Sequence, residues 1–355
     1  MSLRRIAAAD ALERLAEFDT VIDARSEAEY AEDRLPGAVN WPTLDDAERH
    51  AIGTEYKQAS PFAARKHGAV LALRNIAAHV EQHLQQQDRS WKPLVYCWRG
   101  GQRSGSLATV LDAIGFNVQV LEGGYREFRR AMLVQMDSLP ATLSYSVVIG
   151  RTGSAKSRLL QALQAGGAQV LDLEALACHR GSVLGPLPGQ PQPSQKAFET
   201  AVWQALRGFD PSRAVIAEGE SRTIGRLRIP ESLLVQLRAS TVVQVQMPLA
   251  ARVEFLLQDY AHFVDDVESF CERLSALVEV RGHEVVRDWQ QRARNGEIAS
   301  VVQALLTLHY DPIYLRSMQR NFIRFEEAVP LTLADGKAAT LAHAAQMLQA
   351  QTAPA

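Results

Sequence analysis

The chain has 355 residues, of which 47% are hydrophobic and 22% are charged, and its formal net charge is -2. This composition is typical of a soluble globular protein, and a prior of roughly 150 residues per domain predicts two domains. It excludes a protein that is basic throughout, but not one with a local basic surface for nucleic acid. Three cysteines without paired spacing exclude a disulfide framework and a structural zinc site. No stretch resembles a signal peptide or a membrane span, so we expect a cytoplasmic protein that does not bind membranes.

The first part of the chain alternates short apolar runs with helical patterns. Ser26 and Glu29 form a capping box, so a helix should start at Ser26. This alternation predicts a parallel sheet that is covered by helices on both faces. The strands that we predict cover residues 20–25, 91–96 and 117–121, and residues 35–42 form a turn followed by a short extended piece. The other helices cover 10–18, 61–87 and 104–114, and one more follows the turn at 122–125.

A cysteine loop between a strand and a helix is the strongest chemical signal in this part. Cys97 follows the strand directly, close to a helix N-terminus, and Arg99 and Arg103 add fixed positive charge. Gly100 and Gly101 allow the loop to adopt positive φ angles. All of these features stabilise negative charge, so they favour a reactive thiolate over a buried apolar cysteine.

The length of this loop allows more than one chemistry. Five residues separate Cys97 from Arg103, which is also the spacing of cysteine-dependent phosphatases. A loop of that size can bind a tetrahedral anion as well as a single sulfur atom. Transfer of a chalcogen atom and hydrolysis of a phosphate ester are therefore both open at this stage.

Several separated motifs in this order resemble a rhodanese domain over about residues 1–135. The motifs are residues 21–25, Glu29-Tyr30, residues 35–40, the Cys97 loop and residues 120–124. The resemblance implies that the loop cysteine carries a chalcogen atom as a persulfide. Asp23 and Arg25 are better explained as a structural pair, because charged residues at a strand end usually hold a turn.

The second part of the chain predicts another α/β sheet, followed by a helical C-terminal region. A linker at residues 137–140 places the two domains at 1–137 and 138–355. From 249 to 308 the chain is mostly helical, and residues 309–314 should break the helical region. The strands that we predict cover residues 145–149, 168–172, 213–218 and 241–247, and the last helix covers 338–349.

Residues 150–157 form a phosphate-binding P-loop between a buried strand and a helix, the context that this motif requires. Gly150 and Gly153 let the backbone approach phosphate oxygens, Lys156 reaches the terminal phosphates, and the Ser157 hydroxyl can ligate Mg²⁺. Ala155 stands where a glycine is usual. It is tolerated at little cost if that residue is already helical.

Acidic and metal-binding candidates lie further along this domain. Asp172 and Glu218 end two strands, where P-loop proteins often place an acid near Mg²⁺; a turn or cap role is equally compatible with each. Cys178 and His179 have no partner at metal spacing, which favours a structural or substrate-contact role. The proline-rich stretch 185–193 follows them.

Two groups of arginines are candidate contacts for RNA phosphates, with a solvated charged surface as the alternative. One group follows the strand over 117–121, and the other follows the strand over 213–218. The residues are Arg126, Arg129, Arg130, Arg222, Arg226 and Arg228.

The whole chain resembles the bacterial tRNA 2-selenouridine synthase family, on residues 94–104, 150–157, 178–182 and 220–222. The resemblance implies replacement of sulfur by selenium at the wobble 2-thiouridine of tRNA, with selenophosphate as selenium donor. It also implies prior S-geranylation from geranyl diphosphate. Cys97 would then carry selenium as a perselenide, and the loop residues Arg99, Gly100, Gly101 and Arg103 would bind selenophosphate.

We expect selenophosphate and geranyl diphosphate as substrates, tRNA as partner, Mg²⁺ as a candidate ion and no tightly bound cofactor. Three other functions compete. A P-loop kinase fused to a sulfurtransferase would turn over nucleotide without tRNA, and a cysteine phosphatase would hydrolyse model esters through Cys97. A tRNA-binding module without catalysis would tolerate loss of Cys97. The sequence does not predict the oligomeric state.

Overall fold

The computed structural model describes residues 3–180, 190–259, 261 and 266–352. The chain divides into two compact units, Met1–Asp137 with Pro193–Gln204, and Ser138–Gln192 with Ala205–Ala355. Residues 193–204 therefore pack with the first unit, although they follow the boundary expected at residue 137. None of the described helices has the length and apolar character needed to span a membrane.

The first unit is built on a five-stranded parallel sheet. Its strands are β1 Arg4–Ile6, β2 Thr20–Asp23, β3 Ala38–Asn40, β4 Pro93–Tyr96 and β5 Gln119–Leu121. Its helices are α1 Ala8–Glu13, α2 Glu27–Glu32, α3 Asp46–Gln58, α4 Pro61–His83, α5 Gln102–Ile114 and α6 Gly124–Ser138, with a 3₁₀ turn at Leu15–Glu17. The strand order is β1-β5-β4-β2-β3, and every pair is parallel.

The predicted parallel sheet and the capping box at Ser26 and Glu29 are confirmed. Sequence patterns missed β1 and α3. β1 has only three residues, of which one is buried, and α3 buries no residue, so neither element has a strong apolar pattern.

The second unit has a separate five-stranded parallel sheet and a long helical region. Its strands are β6 Tyr145–Gly150, β7 Gln169–Leu171, β8 Val215–Glu218, the hairpin strands β9 Thr223–Ile224 and β10 Leu227–Arg228, β11 Thr241–Gln246 and β12 Val329–Thr332. The helices from α7 onward are α7 Lys156–Ala165, α8 Leu173–Leu176, α9 Gln195–Arg207, α10 Glu231–Ala239, α11 Leu249–Asp259, α12 Val267–Ser275, α13 Val278–Arg281, α14 His283–Arg294, α15 Ile298–Ala304, α16 Asp311–Asn321 and α17 Ala338–Thr352. α9 starts in the first unit and ends in the second. The sheet order is β12-β11-β6-β8-β7.

The predicted break at residues 309–314 is wrong. A π-helix at Leu305–Tyr310 runs directly into α16. Pro312 lies in the first turn of α16, where its missing N–H leaves no hydrogen bond unmade, so it does not interrupt the helix. In the predicted linker region at residues 137–140, α6 runs to Ser138 and a 3₁₀ turn follows at Leu139–Thr142.

A buried ion pair ends β2 in the first unit. The Arg25 guanidinium donates to both carboxylate oxygens of Asp23, at 2.6 Å from Nη2 to Oδ2, and both side chains are buried. The Tyr96 hydroxyl donates to the same carboxylate at 2.7 Å. The structural role expected for this pair is confirmed, since its hydrogen bonds connect β2 to β4.

We expect Asp23→Ala to lower the free energy of unfolding by about 3–5 kcal/mol, because it leaves the Arg25 charge buried without its partner. Urea unfolding followed by intrinsic fluorescence measures this loss. The control is Glu17→Ala, which removes an exposed ion pair with Arg14 and should leave the unfolding midpoint unchanged. Equal midpoints for the two variants would contradict the prediction.

Candidate functional site

Cys97 lies between a fully buried strand and the first turn of a helix. All four residues of β4 are buried, and Cys97 follows it with 3% of its surface exposed. α5 begins at Gln102, two residues before the predicted start. Within its first turn the Ser104 hydroxyl donates to the Cys97 sulfur at 3.1 Å. The sulfur therefore receives a hydrogen bond at a helix N-terminus, an arrangement that stabilises an anionic sulfur.

The backbone of this loop is held by the turn that starts α6. Tyr125 N–H donates to the Cys97 carbonyl at 2.8 Å, and Arg126 N–H donates to the Trp98 carbonyl at 3.2 Å. A Cβ at Gly124 would lie 2.1 Å from the Cys97 carbonyl oxygen, so only glycine allows this approach. The loop is consequently preorganised by contacts from a different segment of the chain.

The two loop glycines have different roles. Gly100 has a φ of 63°, as expected, and a Cβ there would lie 2.7 Å from the Leu121 carbonyl oxygen. Gly101 has a φ of -96° and open space around its Cα, so the positive φ predicted for it is wrong. It precedes α5 as the N-cap residue, a position that glycine favours.

The two loop arginines also differ. Arg103 donates to Glu29 through both terminal nitrogens, at 2.6 and 3.3 Å. Its charge is therefore already paired, and the same Glu29 carboxylate accepts from the Ser26 backbone N–H at 3.2 Å. Arg99 lies on the exposed part of the loop. An anion at this loop meets the Arg99 charge directly and competes with Glu29 for Arg103.

The P-loop follows β6, whose six residues are all buried, and leads into α7. Lys156 Nζ donates to the Gly150 carbonyl at 2.8 Å, so the lysine folds back over its own loop. Gly153 has a φ of 79°, and a Cβ there would lie 2.8 Å from Leu256 Cδ1. The two glycines and the lysine are thus brought together as a phosphate cradle requires.

Ala155 has a φ of 58°, in the left-handed region. Alanine would cost little here only if its backbone were helical. Ala155 does not meet this condition, because it precedes α7 as the N-cap residue. A left-handed alanine costs about 1–2 kcal/mol. Its methyl group is buried in a core cluster that includes Leu159 and Phe255, and a glycine would lack this methyl group.

Three carboxylates meet beside the P-loop at the carboxyl edge of the second sheet. Glu218 ends β8, Glu220 follows two residues later, and Glu174 lies on α8, with oxygen atoms within 4.8 Å of one another. Ser157 Oγ donates to Glu174 at 3.3 Å. Glu218 is fully buried, and neither of its carboxylate oxygens has a hydrogen-bond partner among the described residues. A buried acceptor of this kind calls for a cation or another donor.

The pKa values of all three carboxyl groups are raised, and burial is the main cause. The pKa of Glu220 rises to about 8, through burial first and then the nearby charge of Glu174. The pKa of Glu218 is raised well above its ordinary range by the same causes. Burial and the neighbouring carboxylates thus both favour the protonated forms of these groups.

Asp172 does not join this cluster of acceptors. Its Oδ1 accepts from Ala175 N–H at 2.8 Å and caps α8, which is the cap role that the sequence left open. Sequence reasoning missed Glu174 and Glu220. Glu174 lies two residues after Asp172, and Glu220 lies two residues after Glu218. The signal that could have found them is an acidic residue just past the end of a strand.

Cys178 and His179 do not belong to a group of possible metal ligands within the described residues. Cys178 has a φ of 49°, and His179 is buried, which lowers its pKa. The metal-ligating group found within the described ranges consists of glutamates alone. Gly181, Ser182 and residues 185–189 of the proline-rich stretch lie outside the described residues.

The arginine candidates separate by exposure. Arg129 is 13% exposed and pairs with Asp33 and Glu199, so its guanidinium serves internal contacts. Arg126 and Arg130 are exposed beside Glu127. Arg222 is exposed and pairs with Glu231. Arg226 and Arg228 are also exposed and lie at the β9–β10 hairpin.

Two family descriptions match this chain in succession. Residues 7–131 match the rhodanese-like domain, and residues 143–276 match the AAA domain of tRNA 2-selenouridine synthase. The predicted fold class, a rhodanese-like parallel-sheet domain followed by a P-loop α/β domain with a helical C-terminal region, is confirmed.

Curated relatives extend the match over most of the chain. A tRNA 2-selenouridine synthase of Nitrosomonas europaea is 32% identical and covers 85% of this chain and 89% of its own. That of Nitrosomonas eutropha is 31% identical, with 88% and 92% covered. That of Chromohalobacter salexigens is 37% identical, with 68% and 64% covered. With matches in both units, the chain belongs to the tRNA 2-selenouridine synthase family.

Proposed function

We propose that this protein converts wobble 2-thiouridine in tRNA to 2-selenouridine, by S-geranylation and then selenation. The observation that carries the proposal is one chain with a cysteine at a helix N-terminus and a P-loop beside three clustered glutamates, each a candidate anion site. Each site matches one of the two anionic substrates, selenophosphate and geranyl diphosphate. Family membership supplies the tRNA substrate.

In the first step, the thione sulfur of 2-thiouridine attacks C1 of geranyl diphosphate. An S–C bond forms, the C–O bond to diphosphate breaks, and the N3 proton is released. Negative charge develops on the diphosphate, where Lys156 and the P-loop N–H groups stabilise it. Alkylation makes the sulfur a better leaving group and C2 more electrophilic.

The P-loop residues and carboxylates also fit Mg²⁺. The test is the Glu218 carboxylate, which is fully buried without a partner, as a metal ligand would be before its ion binds. Ser157, Glu174, Glu218 and Glu220 would hold the ion. Bound there, Mg²⁺ would supply positive charge for the departing diphosphate. No tightly bound organic cofactor is part of the proposal.

In the second step, selenium passes from selenophosphate to Cys97 as a perselenide and then to C2, and geranylthiol leaves. The S–Se bond forms, the P–Se bond breaks, and water supplies the fourth oxygen of the phosphate product, a step that removes two electrons. Cleavage of the S–Se bond after transfer returns two electrons, so the exchange is redox-neutral overall. A dithiol–disulfide couple is the co-reactant that accepts and returns them. Ser104 and the α5 N-terminus stabilise the anionic sulfur, and Arg99 and Arg103 bind the donor.

The exposed arginines remain candidate contacts for tRNA phosphates. The ion pairs of Arg126, Arg130 and Arg222 are solvent-exposed and weak, so phosphate can replace the carboxylate partner at little cost. Arg129 is withdrawn from this set because its buried pairing holds the first unit together. The remaining residues are Arg126, Arg130, Arg222, Arg226 and Arg228.

We expect Cys97→Ser to abolish selenation and to keep geranylation, because a hydroxyl cannot carry selenium as a perselenide and the alkylation uses the other site. Nucleoside mass analysis of 2-thiouridine tRNA, incubated with each substrate alone and with both, separates the two products. Cys271→Ser is the matched control, as Cys271 is buried in a helical cluster of the second unit. Full selenation by Cys97→Ser would refute this role.

We expect Lys156→Ala to slow geranyl transfer about a hundredfold or more, since it removes a charge that stabilises the leaving group. Single-turnover formation of geranylated tRNA measures this effect. Selenation of tRNA that is already geranylated should proceed at the wild-type rate. Lys337→Ala removes an exposed lysine of the same unit and should change neither step. Unchanged geranylation together with loss of ATP binding would favour the kinase alternative.

We expect Mg²⁺ to raise the melting temperature of the wild type, because a ligand that binds only the folded state stabilises it by mass action. Glu218→Gln should remove this shift by replacing the carboxylate that lacks a partner. Glu327→Gln, at an exposed position of the same unit, should retain it. A full Mg²⁺ shift in Glu218→Gln would exclude this carboxylate as a ligand.

A further inference from the structure

Tyr314 reaches the P-loop from the helical region of the second unit. Gly150 N–H donates to its hydroxyl at 2.6 Å, and the Lys156 ammonium lies 5.6 Å from the centroid of its ring. Lys156 also donates to the Gly150 carbonyl at 2.8 Å. The phenol therefore stands beside both the first glycine and the lysine of the phosphate cradle.

The ring is held in this place by a second contact of the same helix. Asp311 and Tyr314 lie three residues apart on α16, so they share one face. Asp311 accepts from both terminal nitrogens of Arg252, at 2.9 and 2.6 Å, and Arg252 Nε donates to the Thr152 carbonyl at 2.8 Å. Arg252 is buried. The helix that carries Tyr314 is thus bonded to the loop that the phenol contacts.

The ring lies next to Lys156, the residue that marks one end of the cradle. In a P-loop the lysine reaches the terminal phosphates, so Lys156 marks that end. Burial raises the pKa of Tyr314, and the charges of Glu220 and Glu218 add to the shift. A further phosphoryl group beyond the lysine would meet the ring.

We propose that Tyr314 limits the bound chain to two phosphoryl groups, so that the P-loop accepts a diphosphate ester and rejects a triphosphate. The inference rests on the proposed function, in which geranyl diphosphate is that ester, and adds the residue that sets the chain length. The P-loop sequence cannot make this distinction alone, because the same backbone cradle also binds the phosphates of nucleoside triphosphates.

The test compares the binding of inorganic diphosphate and inorganic tripolyphosphate by calorimetry. We expect the wild type to prefer diphosphate about tenfold or more, a typical steric discrimination. Tyr314→Ala should bring this ratio close to one by opening space for the third phosphoryl group. Tyr314→Phe keeps the ring and should keep the preference. Ile313→Ala, at an exposed position of the same helix, should behave like the wild type.

Equal affinity of the wild type for both anions, or an unchanged preference in folded Tyr314→Ala, would overturn the inference. If circular dichroism shows that Tyr314→Ala is unfolded, Tyr314→Leu retains apolar packing and must lose the preference instead. The probes contain no geranyl group and no tRNA. A wild type that prefers diphosphate but transfers no geranyl group refutes the proposed function alone. Geranyl transfer without chain-length preference refutes the role of Tyr314 alone.

Discussion

Both candidate sites depend on a strand that is buried on both faces directly before the functional loop. Every residue of β4 and of β6 is buried, and each strand has parallel neighbours on both sides. A shift of one residue in register would reverse the direction of every side chain of such a strand, so the register is strongly specified. The strand therefore fixes the position at which the functional loop begins, both for Cys97 in one unit and for the P-loop in the other.

The two sites balance charge in opposite ways. In the first unit, Glu29 pairs with Arg103 and leaves Arg99 as the exposed cation at the loop. Glu29 therefore already neutralises the charge of Arg103 before any anion binds at this loop. In the second unit, Lys156 lies near three carboxyl groups whose pKa values are raised, mainly by burial. Binding of a cation together with a phosphate chain would allow these groups to ionise, which couples metal and substrate binding.

Backbone strain in the P-loop is balanced by contacts from the helical region. Ala155 adopts a left-handed conformation that only glycine adopts readily, and its methyl group is packed in the core of the sheet. The buried pair of Arg252 and Asp311 holds the Thr152 carbonyl on the other side of the loop. The strained loop therefore persists because a distant segment determines its position.

The sequence by itself determined the two parallel sheets and the strand–loop–helix segments that contain Cys97 and Lys156. These segments could be predicted because they depend on neighbours within about ten residues, in an order that local patterns reveal. The capping box at Ser26 was predictable for the same reason. The short strand β1 and the exposed helix α3 were not, because neither has a strong apolar periodicity.

Only the tertiary structure decided which polar side chains meet. Glu174, Glu220 and Tyr314 come from three separate segments, and the contact of Tyr314 with the P-loop spans 164 positions of the chain. Arg129 has the sequence character of a surface arginine, yet it pairs internally with Asp33 and Glu199. Pairings of this kind depend on distances that folding sets between remote residues, and local periodicity carries no information about them.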